Sequence, residues 1–289
     1  MPGATSAGGE TEKYIVEEFA SLLGDTPLAQ ITAWQIEKWK AEEGKRLNPV
    51  TVNRRLTVIK HMFKKAVEWD LLKSDPATSA KRFSVTSERT RFLTQDEIKR
   101  LLKKCDQQVT SPWLLPLVTL ALNTGMRPGE LLKRKWENVD LQRGSIPIIQ
   151  GKTLRRKTVA INELAREALE WFRANCYGDS LFLWPWGDPI GKVTVYDAFK
   201  KACSAAKIEN FRFHDLRHTF ASHLVMQGVD LVTVKELLGH KTINMTNRYT
   251  HLAQEHKAQA VAKLSKLMQS EQGATENQPA TVSAELKEA

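Results

Sequence analysis

Cysteine is scarce in this 289-residue chain: Cys105, Cys176 and Cys203 are well separated and odd in number. Without a C-x-x-C pair they exclude a disulfide framework or a zinc ribbon, and they read as reduced cytosolic thiols buried for packing. No stretch approaches 18 consecutive apolar residues, so no membrane span is expected. Residues 1–9 lack the basic and apolar regions of a secretory signal. No Asp/Glu cluster or Cys/His spacing suggests a metal site, and neither metal nor cofactor is assigned. Tyrosine is also rare, with four residues, and one of the four stands in unusual company.

Positive charge, by contrast, is in excess. The net formal charge is +10, and it is unevenly placed: residues 1–80 sum to zero, 271–289 carry −3, and 81–270 carry +13. A basic central region suits a polyanion partner, most simply nucleic acid. Charge alone fits a solvated basic surface equally well.

Six of the seven histidines lie between 214 and 256. Phe213-His214-Asp215-Leu216-Arg217-His218 opens the group, Leu238-Gly239-His240 continues it, and Asn247-Arg248-Tyr249-Thr250-His251 closes it. A helix starting near Asp215 would place His214 and Arg217 on the same side of its first turn, where free backbone N–H groups favour an anion such as phosphate. Gly228 would end that helix. Asp230 would cap the next, Gly239 would end it and place His240 in a tight corner, and Thr242 would cap a short helix carrying Tyr249. A phenol with a reference pKa of about 10 becomes a useful nucleophile near neutrality when cations surround it or a base takes its proton. Arg217, His214 and His240 are candidates for both tasks.

In these residues the chain resembles the tyrosine recombinase (phage integrase) family: His214-x-x-Arg217, Leu238-Gly239-His240 and Tyr249 occur in the family's order and at its intervals. A lone His-x-x-Arg is common by chance; the three pieces together are specific. The resemblance extends upstream. Thr124-Gly125-Met126-Arg127-Pro128-Gly129-Glu130 is similar to the family's first arginine motif, with Pro128 suited to the first turn of a helix; a surface arginine beside Glu130 is the plainer reading. Strand-like Ile146-Pro147-Ile148-Ile149 and Thr158-Val159-Ala160-Ile161 flank a basic turn at 151–157, and Pro147 confines its strand to an edge or end. The family's catalytic lysine lies on such a hairpin; Lys152 matches its place best and Lys157 is the rival. The other turn cations, Arg155 and Arg156 with Lys157, are expected to hold phosphates.

The first 80 residues are similar to the family's helical core-binding domain. An apolar face runs through Ile15, Phe19, Leu22 and Leu23, Thr32 opens a helix with Trp34, Ile36 and Trp39, and Asn48-Pro49 starts a third. That third helix carries Val52, Leu56, Ile59, Phe63, Ala66 and Val67 on one face and Arg54, Arg55, Lys60, Lys64 and Lys65 on the others, an arrangement suited to a DNA backbone. No separate arm-binding domain precedes it, whether through simplicity or truncation. Residues 81–91 read as an interdomain linker that lets two domains close around a duplex, and Thr94 to Glu97 as a capping box. Residues 114–122 form a buried helix, Trp184 and Trp186 have packing roles, and 193–206 form an amphipathic helix with Tyr196, Phe199 and Cys203 inward.

The expected fold is therefore mainly α with a small β-sheet: a disordered start at 1–10, a helical SAM-like core-binding domain at 11–80, an α+β catalytic domain at 92–270, and a disordered acidic tail at 271–289. The resemblance implies a site-specific recombinase of duplex DNA in which Tyr249 forms a 3′-phosphotyrosyl link without metal or ATP. It further implies that Arg127 and Arg217 clamp the phosphate, His240 donates to it, Lys152 protonates the leaving oxygen and His214 accepts a proton near Tyr249. Its implied partners are double-stranded attachment sites, further copies in a homotetramer joined by exchange of the helix at 253–268, and accessory directionality or DNA-bending proteins. The implied place is the cytoplasm of a bacterium or archaeon, at the nucleoid. A type IB topoisomerase and a non-catalytic DNA-binding protein are the competing readings.

Overall fold

The structure is a computed structural model that describes residues 7–85, 91–150, 155–176, 178–181 and 189–253. The chain divides into two compact units, residues 1–88 and 89–289.

The first unit is a three-helix packing of α1 (Ala7–Leu23), α2 (Ala33–Arg46) and α3 (Pro49–Glu68). α1 thus begins inside the stretch expected to be without structure. Each later helix starts where the local chemistry dictates. Thr32 and Gln35 form a reciprocal capping box at α2, the Thr32 N–H donating to Gln35 Oε1 at 2.8 Å. Asn48 Oδ1 accepts the Thr51 N–H at 2.9 Å, with Pro49 in the first turn of α3. Ile15, Phe19, Ile36, Trp39, Leu56, Ile59 and Phe63 form the core. Phe19 meets Trp39 and Phe63 edge-on at 5.2 and 6.2 Å, and each such side chain contributes about 1.5–3 kcal/mol by leaving water.

Arg55 departs from its expected place on the DNA-facing surface. It is 7% exposed and its guanidinium is paired with Glu43 and Glu18, while Glu43 also holds Arg46. The position lies one residue before Leu56, at the margin of the apolar stripe, so the side chain points toward α1 and α2. Arg54 and Lys64 are exposed, and Lys60 and Lys65 partly so; Lys65 pairs with Glu68 at 2.5 Å. Trp34 is exposed, with Lys38 Nζ 5.2 Å from its ring centre.

Part of the expected free linker is anchored to this unit. Asn53 brackets Phe83, accepting its N–H at 2.8 Å and donating to its carbonyl at 2.9 Å, and Lys40 Nζ donates to Lys81 O at 2.8 Å. The other end belongs to the second unit. Leu93 N–H donates to Thr219 Oγ1 at 3.1 Å, Leu93 O meets His223 Nε2 at 2.8 Å, and Arg91 pairs with Glu97 at 2.6 Å.

The second unit is built around α5 (Leu114–Thr124), which packs against α4 (Gln95–Asp106), α7 (Glu163–Asn175), α8 (Lys192–Ala205) and α9 (Asp215–Met226). Leu114, Leu117, Val118, Leu120 and Ala121 are buried along it, so α5 is apolar on most faces, as a central helix must be. The short α6 (Pro128–Leu132) follows at once. β1 (Ser145–Gln150) and β2 (Arg155–Ala160) pair antiparallel, Pro147 opposite Thr158 and Ile148 opposite Lys157, in a two-stranded sheet where either strand tolerates a proline at its outer edge. On α8, Phe199 and Cys203 are buried as expected, but Tyr196 is exposed and leans on Phe213. A smaller cluster of Ala221, Val225, Val234, Leu238 and Tyr249 joins α9, α10 (Leu231–Leu238) and the 3₁₀ turn Asn247–Ala253.

Candidate active site

Helix ends create the site. Asp230 Oδ1 accepts the N–H groups of Val232 and Thr233, both at 2.9 Å, and starts α10; Gly239, with φ 65°, stops it and turns the chain into His240. Gly125, with φ 58°, does the same for α5 and delivers Arg127 to the cap of α6. A Cβ at Gly125 would collide with the Phe220 ring, so both the backbone turn and the packing of α9 on α5 require glycine here. Thr242 does not cap a helix: its side chain makes no cap bond, and Tyr249 is carried by a 3₁₀ turn.

Arg217 occupies the centre at 3% exposure. Its Nη1 donates to Gly125 O at 2.7 Å and its Nη2 to Leu238 O at 2.6 Å. The guanidinium is thus fixed by the carbonyl ends of α5 and α10, where the helix dipoles favour a cation. Two of its five N–H groups are thus used among the described residues. Burial, then the Arg127 charge, lowers its pKa to about 10. Arg127 is half-buried; its Nη1 donates to Glu130 Oε1 at 2.7 Å, and its N–H donates to Glu130 Oε2 at 3.1 Å. The plain surface pairing with Glu130 and the place beside Arg217 are therefore both real.

Three imidazoles line the same space. His240 Nδ1 is 2.8 Å from Thr246 Oγ1, and burial followed by the charges of Arg217, Arg127, Arg248 and Lys157 lowers its pKa to about 3. His214 precedes the first turn of α9, its ring edge-on to that of His218 with centroids 5.4 Å apart. His218, for which the sequence suggested no role, has Nδ1 2.6 Å from Tyr249 Oη. Tyr249 is 2% exposed. His218 was nonetheless legible, because four residues after His214 is one helical turn along the same face.

Lys157 belongs to β2 and not to the turn. It is 7% exposed, and its Nζ has no hydrogen-bond partner among the described residues. Burial and the Arg217 charge lower its pKa to about 8. Its inward direction follows from the strand period, since Lys157 and Val159 are buried while Thr158 and Ala160 are exposed. A solvated turn cation holding DNA phosphates therefore does not describe it. Lys152, Trp184, Trp186, the acidic tail and all of the helix expected at 253–268 except Ala253, which ends the 3₁₀ turn, lie outside the described residues, as do the side chains of Arg155 and Arg156.

Around one tyrosine, then, stand two arginines, a buried lysine and three histidines, with Glu130 pairing Arg127 at the edge. Such a gathering of cations suits an anion with several acceptor oxygens, and it is carried on a scaffold whose described residues are mainly helical with a two-stranded sheet. Residues 91–256 match the model of the phage integrase family, and the chain belongs to that family of tyrosine recombinases. It is 34% identical over 215 residues to the integrase of Salmonella phage P22, covering 70% of this chain and 54% of that one; it spans about half the length of that relative. Its fold matches the Tn1549 transposon integrase in complex with a circular intermediate DNA, with a TM-score of 0.74 and 18% identity over 86% of this chain and 90% of that one. It also matches a lambda integrase in a tetramer bound to a Holliday junction, with a TM-score of 0.72 and 20% identity over 86% and 72% of the two chains.

Proposed function

We propose that this chain is a site-specific DNA recombinase that integrates or excises a mobile element through a covalent tyrosine intermediate. The observation that carries the reading is the convergence of Arg127, Arg217 and His240 on the pocket that holds Tyr249, three parts of the chain brought together by the ends of α5, α9 and α10. Tyr249 Oη attacks a phosphodiester phosphorus, the bond to the 5′-oxygen breaks, and a 3′-phosphotyrosyl link forms with release of a 5′-hydroxyl. Arg217, its guanidinium fixed by two backbone carbonyls, and Arg127 hold the non-bridging oxygens, which gain charge in the transition state. His240, oriented through Thr246, presents Nε2 to the same oxygens.

Lys152 protonates the leaving 5′-oxygen in this reading. Lys157, buried beside both arginines, is the second lysine in reach of the phosphate, and its lowered pKa suits a proton donor working near neutrality. Because the phosphotyrosine conserves the broken bond, rejoining to a new 5′-hydroxyl runs the same steps in reverse and needs no ATP. The arginines and lysine supply the charge that paired metals supply in many nucleases, so cleavage is independent of divalent ions.

Duplex DNA carrying two recombination sites is the substrate, and Arg54, Lys60 and Lys64 on α3 contact its backbone. The active assembly is a homotetramer, supported by the tetrameric arrangement of the lambda integrase relative, with the 253–268 segment exchanged between copies and with accessory proteins setting direction. The test is a nicked suicide duplex bearing the sequence that the protein itself selects from a randomised duplex pool, in chelator and without ATP. Wild type is expected to give a covalent protein–DNA band on a denaturing gel, and Tyr249→Phe to bind the duplex without forming it. An adduct that persists in Tyr249→Phe, or requires Mg²⁺, refutes the mechanism.

A further inference from the structure

We propose that His218 takes the proton from Tyr249 in strand cleavage and returns it in rejoining. This inference rests on the tyrosine-nucleophile reading and names the base within it, transferring to His218 the task that the sequence suggested for His214.

Geometry carries the assignment. Nδ1 of His218 lies 2.6 Å from Tyr249 Oη, within the range in which a general base abstracts a proton without intervening water. The phenol is 2% exposed, so bulk water has little access to that proton. The base is also held firmly. His218 lies in α9, whose next residue, Thr219, is 1% exposed and bonded through Oγ1 both to Asp215 O at 2.9 Å and to the Leu93 N–H at 3.1 Å. His214, one turn back, stands edge-on to the His218 ring; it precedes the first turn of α9 and is exposed, which suits it to a phosphate oxygen.

The charged and titratable surroundings make the base conditional. From the cap and first turn of α9 it is faced by His214, Asp215 and Arg217, and from the 3₁₀ turn by Arg248 and Tyr249 itself. Burial, then His214 and Arg248, lowers the His218 pKa to about 4, so the imidazole is neutral at pH 7 and can accept. In the step proposed, Oη forms its bond to phosphorus, its proton passes to Nδ1, the P–O5′ bond breaks, and the lysine donor protonates the 5′-oxygen. Charge is conserved throughout. An arriving phosphate places negative charge among these cations and raises the basicity of His218.

Two experiments decide it. The first measures single-turnover adduct formation on the selected suicide duplex by wild type, His218→Asn, His214→Asn and His218→Ala, with binding to the same duplex measured in parallel. Asn can hydrogen-bond the phenol but cannot accept its proton. His218→Asn is expected to bind normally and to cleave about a hundredfold or more slowly, with imidazole restoring cleavage to His218→Ala in proportion to its free-base form. Cleavage by His218→Asn within about threefold of wild type, or a loss of cleavage confined to His214→Asn, overturns the proposal. The second is a ¹⁵N-histidine NMR spectrum of the DNA-free wild type at pH 7, which reads the tautomer without any variant. Unprotonated Nδ1 with Nε2–H is expected, and a proton resident on Nδ1 overturns the proposal. A wild type that forms no adduct defeats the recombinase reading itself, whereas an adduct formed equally well by His218→Asn defeats only this inference.

Discussion

Thr246, fully buried, holds its hydroxyl 2.8 Å from Nδ1 of His240. The imidazole is neutral at pH 7, its pKa lowered to about 3 by burial and the nearby arginines, so the tautomer decides what it can do. With the Thr246 hydroxyl donating to Nδ1, the proton sits on Nε2, where the proposed mechanism needs a donor to the phosphate. In that mechanism Thr246 is a positioning residue. Thr246→Val is expected to keep duplex affinity and slow adduct formation roughly tenfold, the equivalent of one buried hydrogen bond of about 1.4 kcal/mol. Thr246→Ser should restore the rate, and histidine NMR should show the tautomer moving with it.

Gly125 tests how far the placement of Arg217 depends on backbone shape. Its carbonyl accepts from Arg217, its φ is 58°, and a Cβ would strike Phe220. Gly125→Ala is expected to cost at least the ~1–2 kcal/mol of a left-handed alanine, measured by urea denaturation, and to depress cleavage more than binding. Gly129→Ala, where nothing lies within 4 Å of the new Cβ, should be close to neutral in both assays.

Arg54 and Arg55 are neighbours with opposite expected phenotypes. Removing Arg55 leaves Glu43, which is 2% exposed, with only the more exposed Arg46 as partner; Arg55→Ala should destabilise the protein by roughly 2–3 kcal/mol. Arg54→Ala should leave the denaturation midpoint unchanged, weaken duplex binding, and reduce the slope of log affinity against log salt by about one.

Acid should loosen the DNA-free protein in a defined window. His218 and His240, lowered to about 4 and about 3, remain neutral in the fold down to those values, whereas in the unfolded chain both protonate below their ordinary value of 6.5. Below pH 6.5 the unfolded state therefore binds more protons, and stability falls as the pH drops from about 6.5 toward 3–4. The urea midpoint is expected to be lower at pH 5 than at pH 7.5, and His240→Gln should flatten that dependence. A midpoint constant across this range would show that the two imidazoles are not held neutral.

Much of this could be seen before any tertiary structure, and the reasons are local. Caps at Thr32, Asn48, Thr94 and Asp230 depend on side-chain oxygens two or three residues from the N–H groups they accept. The stripe through Val52, Leu56, Ile59 and Phe63 needs only the helical period. The hairpin announced itself by its change of period, though β2 begins three residues earlier than its apolar run, which is why Lys157 was placed in the turn.

The sequence by itself determined the parts: where several helices begin, where glycine breaks them, and which histidines, arginines and tyrosine come in the order that the phage integrase family uses. It did not determine what those side chains touch. Arg55 became a buried ion-pair partner because α1 and α2 bring Glu18 and Glu43 to it, and Lys157 became a pocket cation because β2 faces inward beside the arginines. The partner of Tyr249 was likewise decided by tertiary packing, since the α9 face and the 3₁₀ turn meet only when α10 folds between them, 31 residues along the chain from His218 to Tyr249. Local hydrogen bonds and periodicity are written within a few residues, whereas burial, charge crowding and proton partners depend on which distant surfaces are pressed together.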